Sequence, residues 1–362
     1  MWVLLLLQFV LLVVPLPTSI GALANDILSL KAHEQLVVNG SAFTDSALDW
    51  QSGGDVSLSY APLEPQTFKI LPIAAAKKDQ RPRRKPDSHF NFSLTAKSVY
   101  VMDKASGARL YEIDADTPRP IASLTKLMSA AIFLNNGKGK SSEAFDWNKT
   151  IVIDNQDGLQ GRLYLEPGEE IKVEDLFFTS LTGSSNNATM ALARASGLGI
   201  DQFVKEMNTQ AKKWGLLKTV FVEPTGLNQG NQSTAREAAK MLNNALGLEK
   251  VRQATTIKNY SFKTPSGVEH AIPSTDELLL TDLGPSKIKK INGGKTGFIE
   301  EAGFNFAVEV EDGFGHQIIV VVLGSLDHLS RFVEAKELAE WIFSSYLWPD
   351  QVGFESLVAS GF

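Results

Sequence analysis

A chain of 362 residues exceeds one average domain, and its 43% apolar and 21% charged content is ordinary for a folded protein. The net charge of −6 argues against nucleic acid as a main partner, and the lack of cysteine excludes disulfides, a thiol nucleophile, iron–sulfur clusters and cysteine-ligated zinc. The five histidines (His33, His89, His270, His316, His328) are scattered and form no His-Glu-x-x-His. No metal and no cofactor is therefore expected, and a serine hydrolase would need a base other than an obvious histidine.

The amino terminus reads as an export signal over residues 1–24. Trp2 to Val14 is almost wholly apolar, Pro15 and Pro17 break the run, and Ala22-Leu23-Ala24 offers a small-residue cleavage site. The run is short for a spanning helix, so cleavage after Ala24 is preferred over retention as an anchor. No Lys or Arg precedes Lys31, which leaves the α-amino group as the positive end. Either way the mature part is expected outside the cytoplasmic membrane, in a periplasm or cell wall. Residues 25–93 lack periodicity and read as a flexible linker. Their basic cluster (Lys77, Lys78, Arg81, Arg83, Arg84, Lys85) reads first as a solvated charge run and second as a contact for anionic membrane surface or wall polymer.

Order is expected from Leu94, in a domain spanning 94–348 with a tail over 349–362. Ser98–Asp103 and Ala108–Ile113 are strand-like, joined by a turn at Ser106-Gly107. Leu124–Leu134, apolar and rich in small residues, predicts a helix buried on most sides. Short strands follow, then helices over Val173–Leu181 and Asn186–Ala195. Asp201 caps a helix whose Phe203, Met207, Ala211 and Trp214 recur every three or four positions, and Gly215 stops it. Thr234-Ala-Arg-Glu237 is a capping box opening a helix to Leu246. Phe304, Phe306, Val308 and Val310 alternate as in a strand, Asp312-Gly313 makes a turn, and Gln317–Leu323 is a second strand. An amphipathic helix over Arg331–Tyr346 ends before Pro349. The order predicts one α+β domain whose terminal segments share an antiparallel sheet while the middle forms a helical lobe.

Ser123 and Lys126 stand three residues apart, so on a helix they share one face. A lysine able to take the serine's proton would make it a nucleophile. Ser184-Ser185-Asn186 opens the Ala-rich helix, and Lys295-Thr296-Gly297 follows Asn292-Gly293-Gly294. Each triplet alone is an ordinary helix start or turn; the three together, in this order, are specific.

With these motifs the chain resembles the serine D-Ala-D-Ala peptidases, the low-molecular-mass penicillin-binding proteins that process bacterial peptidoglycan. The likeness runs from Leu94 to Trp348 and includes Ile121–Met128, Ser184–Ala188, Phe203–Asn208, Pro224–Leu227, Lys295–Phe298 and Ala302-Gly303. It implies the fold shared with serine β-lactamases, an antiparallel sheet flanked by helices with the active site between sheet and helical lobe. It also implies a stem-peptide substrate and covalent inhibition by β-lactam antibiotics.

The resemblance assigns roles. Ser123 is the nucleophile, and Lys126, neutral, is its base; burial and the like charge of Lys295 would both lower its pKa from about 10.4. Ser184 relays a proton to the leaving amine, and Asn186 orients Lys126 and binds the substrate amide. Lys295 supplies positive potential, Thr296 meets the terminal carboxylate, and Gly297 lets substrate approach the strand. The N–H groups of Ser123 and Phe298 form the oxyanion hole. Arg331 matches an arginine that holds the free carboxylate, against the plain reading of a surface helix-start arginine.

Asn187 and Ser185 stand where relatives often have Asp and Gly. Glu223–Asn228 superficially resembles the deacylating loop of class A β-lactamases, but its Glu-to-Asn spacing is one residue longer. The expected activity is D-Ala-D-Ala carboxypeptidase, with cross-link endopeptidase as the alternative. A β-lactamase or a non-catalytic wall-binding module ranks lower. The end of the sequence at Phe362 is read as the short form of the family, without its extra β domain and amphipathic anchor.

Overall fold

In strands β2 (Ser98–Asp103) and β12 (Gln317–Ser325), Val99, Val101, Ile318, Val320 and Val322 pack to one side of the sheet, and Tyr100, Met102, Ile319, Val321 and Leu323 to the other. This period-two sorting gives the sheet two buried faces. The computed structural model describes residues 81–137, 146–155, 157 and 164–361, all within one compact unit, Ile73–Phe362. The export segment, Lys77, Lys78 and most of the expected linker lie outside the described residues.

In chain order the elements are β1 (Arg83–Arg84), β2, β3 (Arg109–Ile113), β4 (Arg119–Pro120), α1 (Thr125–Gly137), β5 (Thr150–Val152), β6 (Glu170–Lys172), α2 (Val173–Thr182), α3 (Asn186–Ala195) and α4 (Ile200–Lys213). Then come β7 (Gln232–Ser233), α5 (Ala235–Leu246), α6 (Glu249–Thr256), β8 (Asn259–Lys263), β9 (Glu269–Pro273), α7 (Glu277–Leu280), β10 (Lys290–Ile299), β11 (Gly303–Glu311) and β12. The chain closes with α8 (Ser330–Ser345), β13 (Tyr346–Leu347) and α9 (Phe354–Ala359). The main sheet runs β10–β11–β12–β2–β3, and each neighbouring pair is antiparallel. The fold is the expected α+β arrangement.

One sheet face packs on α8 through Phe332, Ala335, Leu338, Ala339 and Ile342. The other packs on the helical lobe, where Leu127, Met128, Phe133, Phe177, Phe203 and Leu242 are fully buried. Each such side chain contributes roughly 1.5–3 kcal/mol of transfer free energy. The lobe's centre is α1, whose Leu127, Met128, Ala130, Ala131, Ile132 and Phe133 are all buried, as its composition predicts.

The structure moves several expected boundaries. Order starts at or before Arg83, not at Leu94. Arg83 and Arg84 pair with Leu347 and Tyr346, Lys85 N–H donates to the Ser344–Ser345 stretch at Ser345 O (2.8 Å), and the Arg84 guanidinium lies over the Trp341 ring. Part of the basic cluster is thus a clasp on α8 and β13, with the exposed Arg84 guanidinium stacked on the Trp341 ring. The expected tail folds too: Phe354 and Leu357, one helical turn apart, are buried in α9. Asp201 is not the cap of α4. Gly199 takes that position at φ 72°, a conformation that favours glycine, and Asp201 sits in the first turn. Thr234 does cap α5, accepting from Glu237 N–H. Glu237 instead accepts from Lys218 N–H and the Thr219 hydroxyl, tying α5 to the preceding loop.

Candidate active site

Ser123 lies in a one-turn 3₁₀ segment, Ala122–Leu124, immediately before α1 rather than within it. Its neighbour Ala122 adopts φ 48°, a left-handed conformation that costs energy for a residue with a Cβ. Two glycines make room for this turn. On Gly226, at φ 90°, a Cβ would stand 2.0 Å from Ala122 O; on Gly297 it would stand 2.7 Å from Ile121 O. The serine turn is therefore pinched between the 223–231 loop and strand β10, in positions that only glycine permits.

Lys126 is the first-turn residue of α1, fully buried with 0% exposure. Its Nζ donates to Ser123 Oγ (3.0 Å), Asn186 Oδ1 (2.6 Å) and Thr225 O (2.6 Å). Burial lowers its pKa to about 7, against the opposing negative charge of Glu223. The expected lowering is present, with burial as its cause; the expected influence of Lys295 is replaced by that of Glu223.

The second wall begins where α2 ends. Gly183 closes the helix, and a Cβ there would strike Ile272 at 2.4 Å. Ser184 then turns at φ 59°, and Ser185 caps α3 by accepting from Ala188 N–H. The strained turn aims Ser184 toward β10, where Lys295 Nζ donates to its Oγ at 2.7 Å and to Thr296 O at 3.0 Å.

Lys295-Thr296-Gly297 is not a turn. It lies inside the ten-residue strand β10, paired in turn with Ala307, Phe306 and Asn305 of β11. The preceding glycines serve a β-bulge between Ile291 and Gly293. Gly293, at φ 134°, also passes so close to α6 that a Cβ would meet Thr255 Oγ1 at 2.6 Å.

Ser123, Ser184, Asn186, Thr296, Gly297, Phe298 and Arg331 line one cleft of about 230 Å³, together with Gly226, Leu227, Thr275, Ile299, Phe304 and His328. Every sequence-derived site residue except the two buried lysines borders it, and both lysines reach its serines from behind. Arg331 is not a surface residue. It is 4% exposed, its guanidinium donates to Gly297 O (3.3 Å), and it lies against the rings of Phe304 and Phe332. Among the described residues, no group of three or more His, Asp or Glu side chains converges in a metal-holding arrangement.

Sequence reasoning undervalued three residues. Glu223 folds its own loop, accepting from Thr225 N–H and Oγ1 (2.6 Å each), Gly226 N–H and Asn231 Nδ2. Asn231 in turn donates to Thr125 Oγ1 (3.2 Å) and so ties the loop to α1. Thr275 Oγ1 accepts a hydrogen bond from the Thr296 hydroxyl (2.7 Å). A carboxylate so engaged has no role as a deacylating base. The spacing Glu-Pro-x-Gly, a turn with an acceptor at its first residue, is the signal that pointed there.

The arrangement supports nucleophilic acyl transfer: a hydroxyl beside a buried amine, a second hydroxyl–amine pair across the cleft, and a guanidinium and threonines at one end for an anion. Comparison with known proteins agrees. The peptidase S11 profile, described as D-alanyl-D-alanine carboxypeptidase, matches residues 83–326. The chain is 28% identical over 256 residues to D-alanyl-D-alanine carboxypeptidase DacF of Bacillus subtilis, covering 69% of this chain and 63% of that protein. It is 30% identical over 252 residues to the D-alanyl-D-alanine endopeptidase of Pseudomonas aeruginosa, covering 69% and 77%. Among solved structures, penicillin-binding protein D2 from Listeria monocytogenes in the cefotaxime-bound form superposes with a TM-score of 0.60 at 31% identity, covering 70% of this chain and 99% of that one. The chain thus spans less than two thirds of the length of the carboxypeptidase and more of the endopeptidase.

Proposed function

The chain belongs to the D-alanyl-D-alanine carboxypeptidase family, peptidase S11, and from that membership we propose that it removes the terminal D-alanine from peptidoglycan stem pentapeptides. The observation that carries the reading is Lys126: a fully buried amine, 3.0 Å from Ser123 Oγ, whose pKa is lowered to about 7. Such a group is half neutral at physiological pH and matched to general-base work.

Ser123 Oγ attacks the carbonyl between the two D-alanines, and its proton passes to Lys126 Nζ. The oxyanion takes the N–H groups of Ser123 and Phe298. The C–N bond breaks, Ser184 relays a proton to the departing amine, and water then hydrolyses the ester. Lys295 holds Ser184 and adds positive potential. Thr296 and Arg331 receive the free carboxylate, an anion suited to a fixed guanidinium. Asn186 holds Lys126 and offers its amide to the substrate backbone. β-Lactams, whose carbonyl and carboxylate repeat this spacing, acylate Ser123; the cefotaxime complex of the Listeria protein supports this.

Cleavage of D-Ala cross-links is the second reading, supported by the endopeptidase relative and its 77% coverage. Digestion of intact peptidoglycan followed by mass spectrometry separates the two. Loss of pentapeptide tails alone supports carboxypeptidase action, and loss of cross-linked dimers supports the alternative.

Export through the 1–24 segment places the enzyme where its substrate is, and cell fractionation tests that placement. Contact of segment 77–85 with anionic wall polymer rests on charge, and salt-sensitive pelleting with purified wall tests it.

A further inference from the structure

Behind the carboxylate end of the cleft, Asp276 is 3% exposed. Its Oδ1 accepts from Leu279 N–H (3.1 Å), capping α7. Its Oδ2 is buried with no hydrogen-bond partner among the described residues. That oxygen lies against β10 at Gly294, where a Cβ would stand 2.9 Å from it. Only a glycine lets the strand carrying Lys295 approach the carboxyl so closely. A buried polar oxygen left unpaired costs stability, so its position calls for a compensating role.

The charges around it come from both flanking elements. Lys295 on β10 and Arg331 on α8 both act on Asp276 as positive neighbours. On its own segment Glu277 faces His328, with His328 Nδ1 3.5 Å from Glu277 Oε1. The β8–β9 hairpin leading into Asp276 directs its His270 to Glu169 instead, and Arg252 of α6 is held by Asn292 O and Glu309.

We propose that Asp276 is the buried counter-charge of Lys295 and Arg331, so that binding of a substrate carboxylate at those two cations is coupled to proton uptake by Asp276. It is a positioning residue: it touches no substrate and acts through the two cations. When Asp276 is ionised, part of their potential is spent on it. When a ligand carboxylate arrives, the two negative charges compete for the same cations, and Asp276 takes a proton from solvent. Burial already raises its pKa to about 6, so the exchange falls in a physiological range. Protonation leaves the helix cap intact, because Oδ1 remains the acceptor.

The identity of the ligand rests on the carboxypeptidase reading, and the test separates the two claims. The Ser123→Ala protein, which cannot turn over, is titrated with diacetyl-L-lysyl-D-alanyl-D-alanine by calorimetry at pH 6 in two buffers of different ionisation enthalpy. A one-unit rise in the Asp276 pKa on binding gives uptake of about 0.4 proton, and affinity that tightens up to about tenfold as pH falls from 8 to 5. Adding Asp276→Asn, whose side chain caps a helix as well as Asp, removes that uptake and flattens the affinity profile below pH 6, where Lys126 is already charged; Asp276→Ser gives the same result by a second route. His328→Gln leaves the uptake in place. Equal uptake with and without Asp276, or its loss in His328→Gln alone, overturns the inference. No binding by the parent overturns the substrate reading and this inference with it.

Discussion

Lys126 Nζ and Ser123 Oγ stand 3.0 Å apart, with the amine held on its other sides by Asn186 Oδ1 and Thr225 O. All three partners accept, so the charged amine is well satisfied. Burial nonetheless brings its pKa down to about 7, because the charged form gives up bulk solvation. That balance makes Lys126 a base that is ready without being permanently neutral.

The sign of the pH dependence follows. Only neutral Lys126 accepts the Ser123 proton, so the rate of Ser123 acylation rises with pH and levels off above about 7. Stopped-flow acylation by benzylpenicillin between pH 5 and 9 measures this limb. A limb centred near 10, the range of an ordinary lysine at about 10.4, would contradict it.

Glu223 raises the Lys126 pKa through its negative charge. Glu223→Gln therefore moves the same acylation limb to lower pH, provided the 223–231 loop keeps its fold by circular dichroism. An unmoved or upward-shifted limb in a folded variant would show that the two groups do not interact.

Gly226 tests the pinch on the serine turn. Gly226→Ala puts a Cβ 2.0 Å from Ala122 O at φ 90°, which combines backbone strain of roughly 1–3 kcal/mol with a backbone clash. Thermal unfolding should fall by several degrees and acylation should drop at least tenfold. Wild-type values of both would mean that the loop is not wedged against Ser123.

Arg331 is buried against Phe304 and Phe332 with its guanidinium at Gly297 O. Arg331→Leu keeps much of the packing and removes the charge. It should lower kcat/KM for a peptide with a free terminal carboxylate by roughly tenfold to a hundredfold, about 1.4–2.7 kcal/mol. An amidated peptide should show little difference between the two proteins, and an equal loss on both substrates would sink the assigned role.

What was legible in the sequence was local. The Ser123-x-x-Lys126 spacing, the Ser184–Asn186 helix start and the alternation in β11 and β12 each follow from a short-range period or cap. What escaped it, even for Lys295 and Arg331, which the motifs had already named, is the setting of residues whose partners lie far along the chain. Lys295 sits after two glycines that look like a turn, yet pairing with β11 and the close passage of α6 turn them into a bulged strand. Arg331 looks like any helix-start arginine until Phe304 and Phe332 close around it. Arg83 and Arg84 carry no strand signal and are ordered by Tyr346 and Leu347. Asp276 carries no signal in the sequence that sets it apart; its cap on α7 and the approach of its other oxygen to Gly294 are visible only once β10 is in place.

The most direct measurement is rapid-quench mass spectrometry of the protein mixed with diacetyl-L-lysyl-D-alanyl-D-alanine. The account predicts release of free D-alanine and a transient peptidyl ester mapped to Ser123, with neither formed by Lys126→Ala. Release of D-alanine by Lys126→Ala at the wild-type rate, or an adduct on any residue other than Ser123, would contradict it.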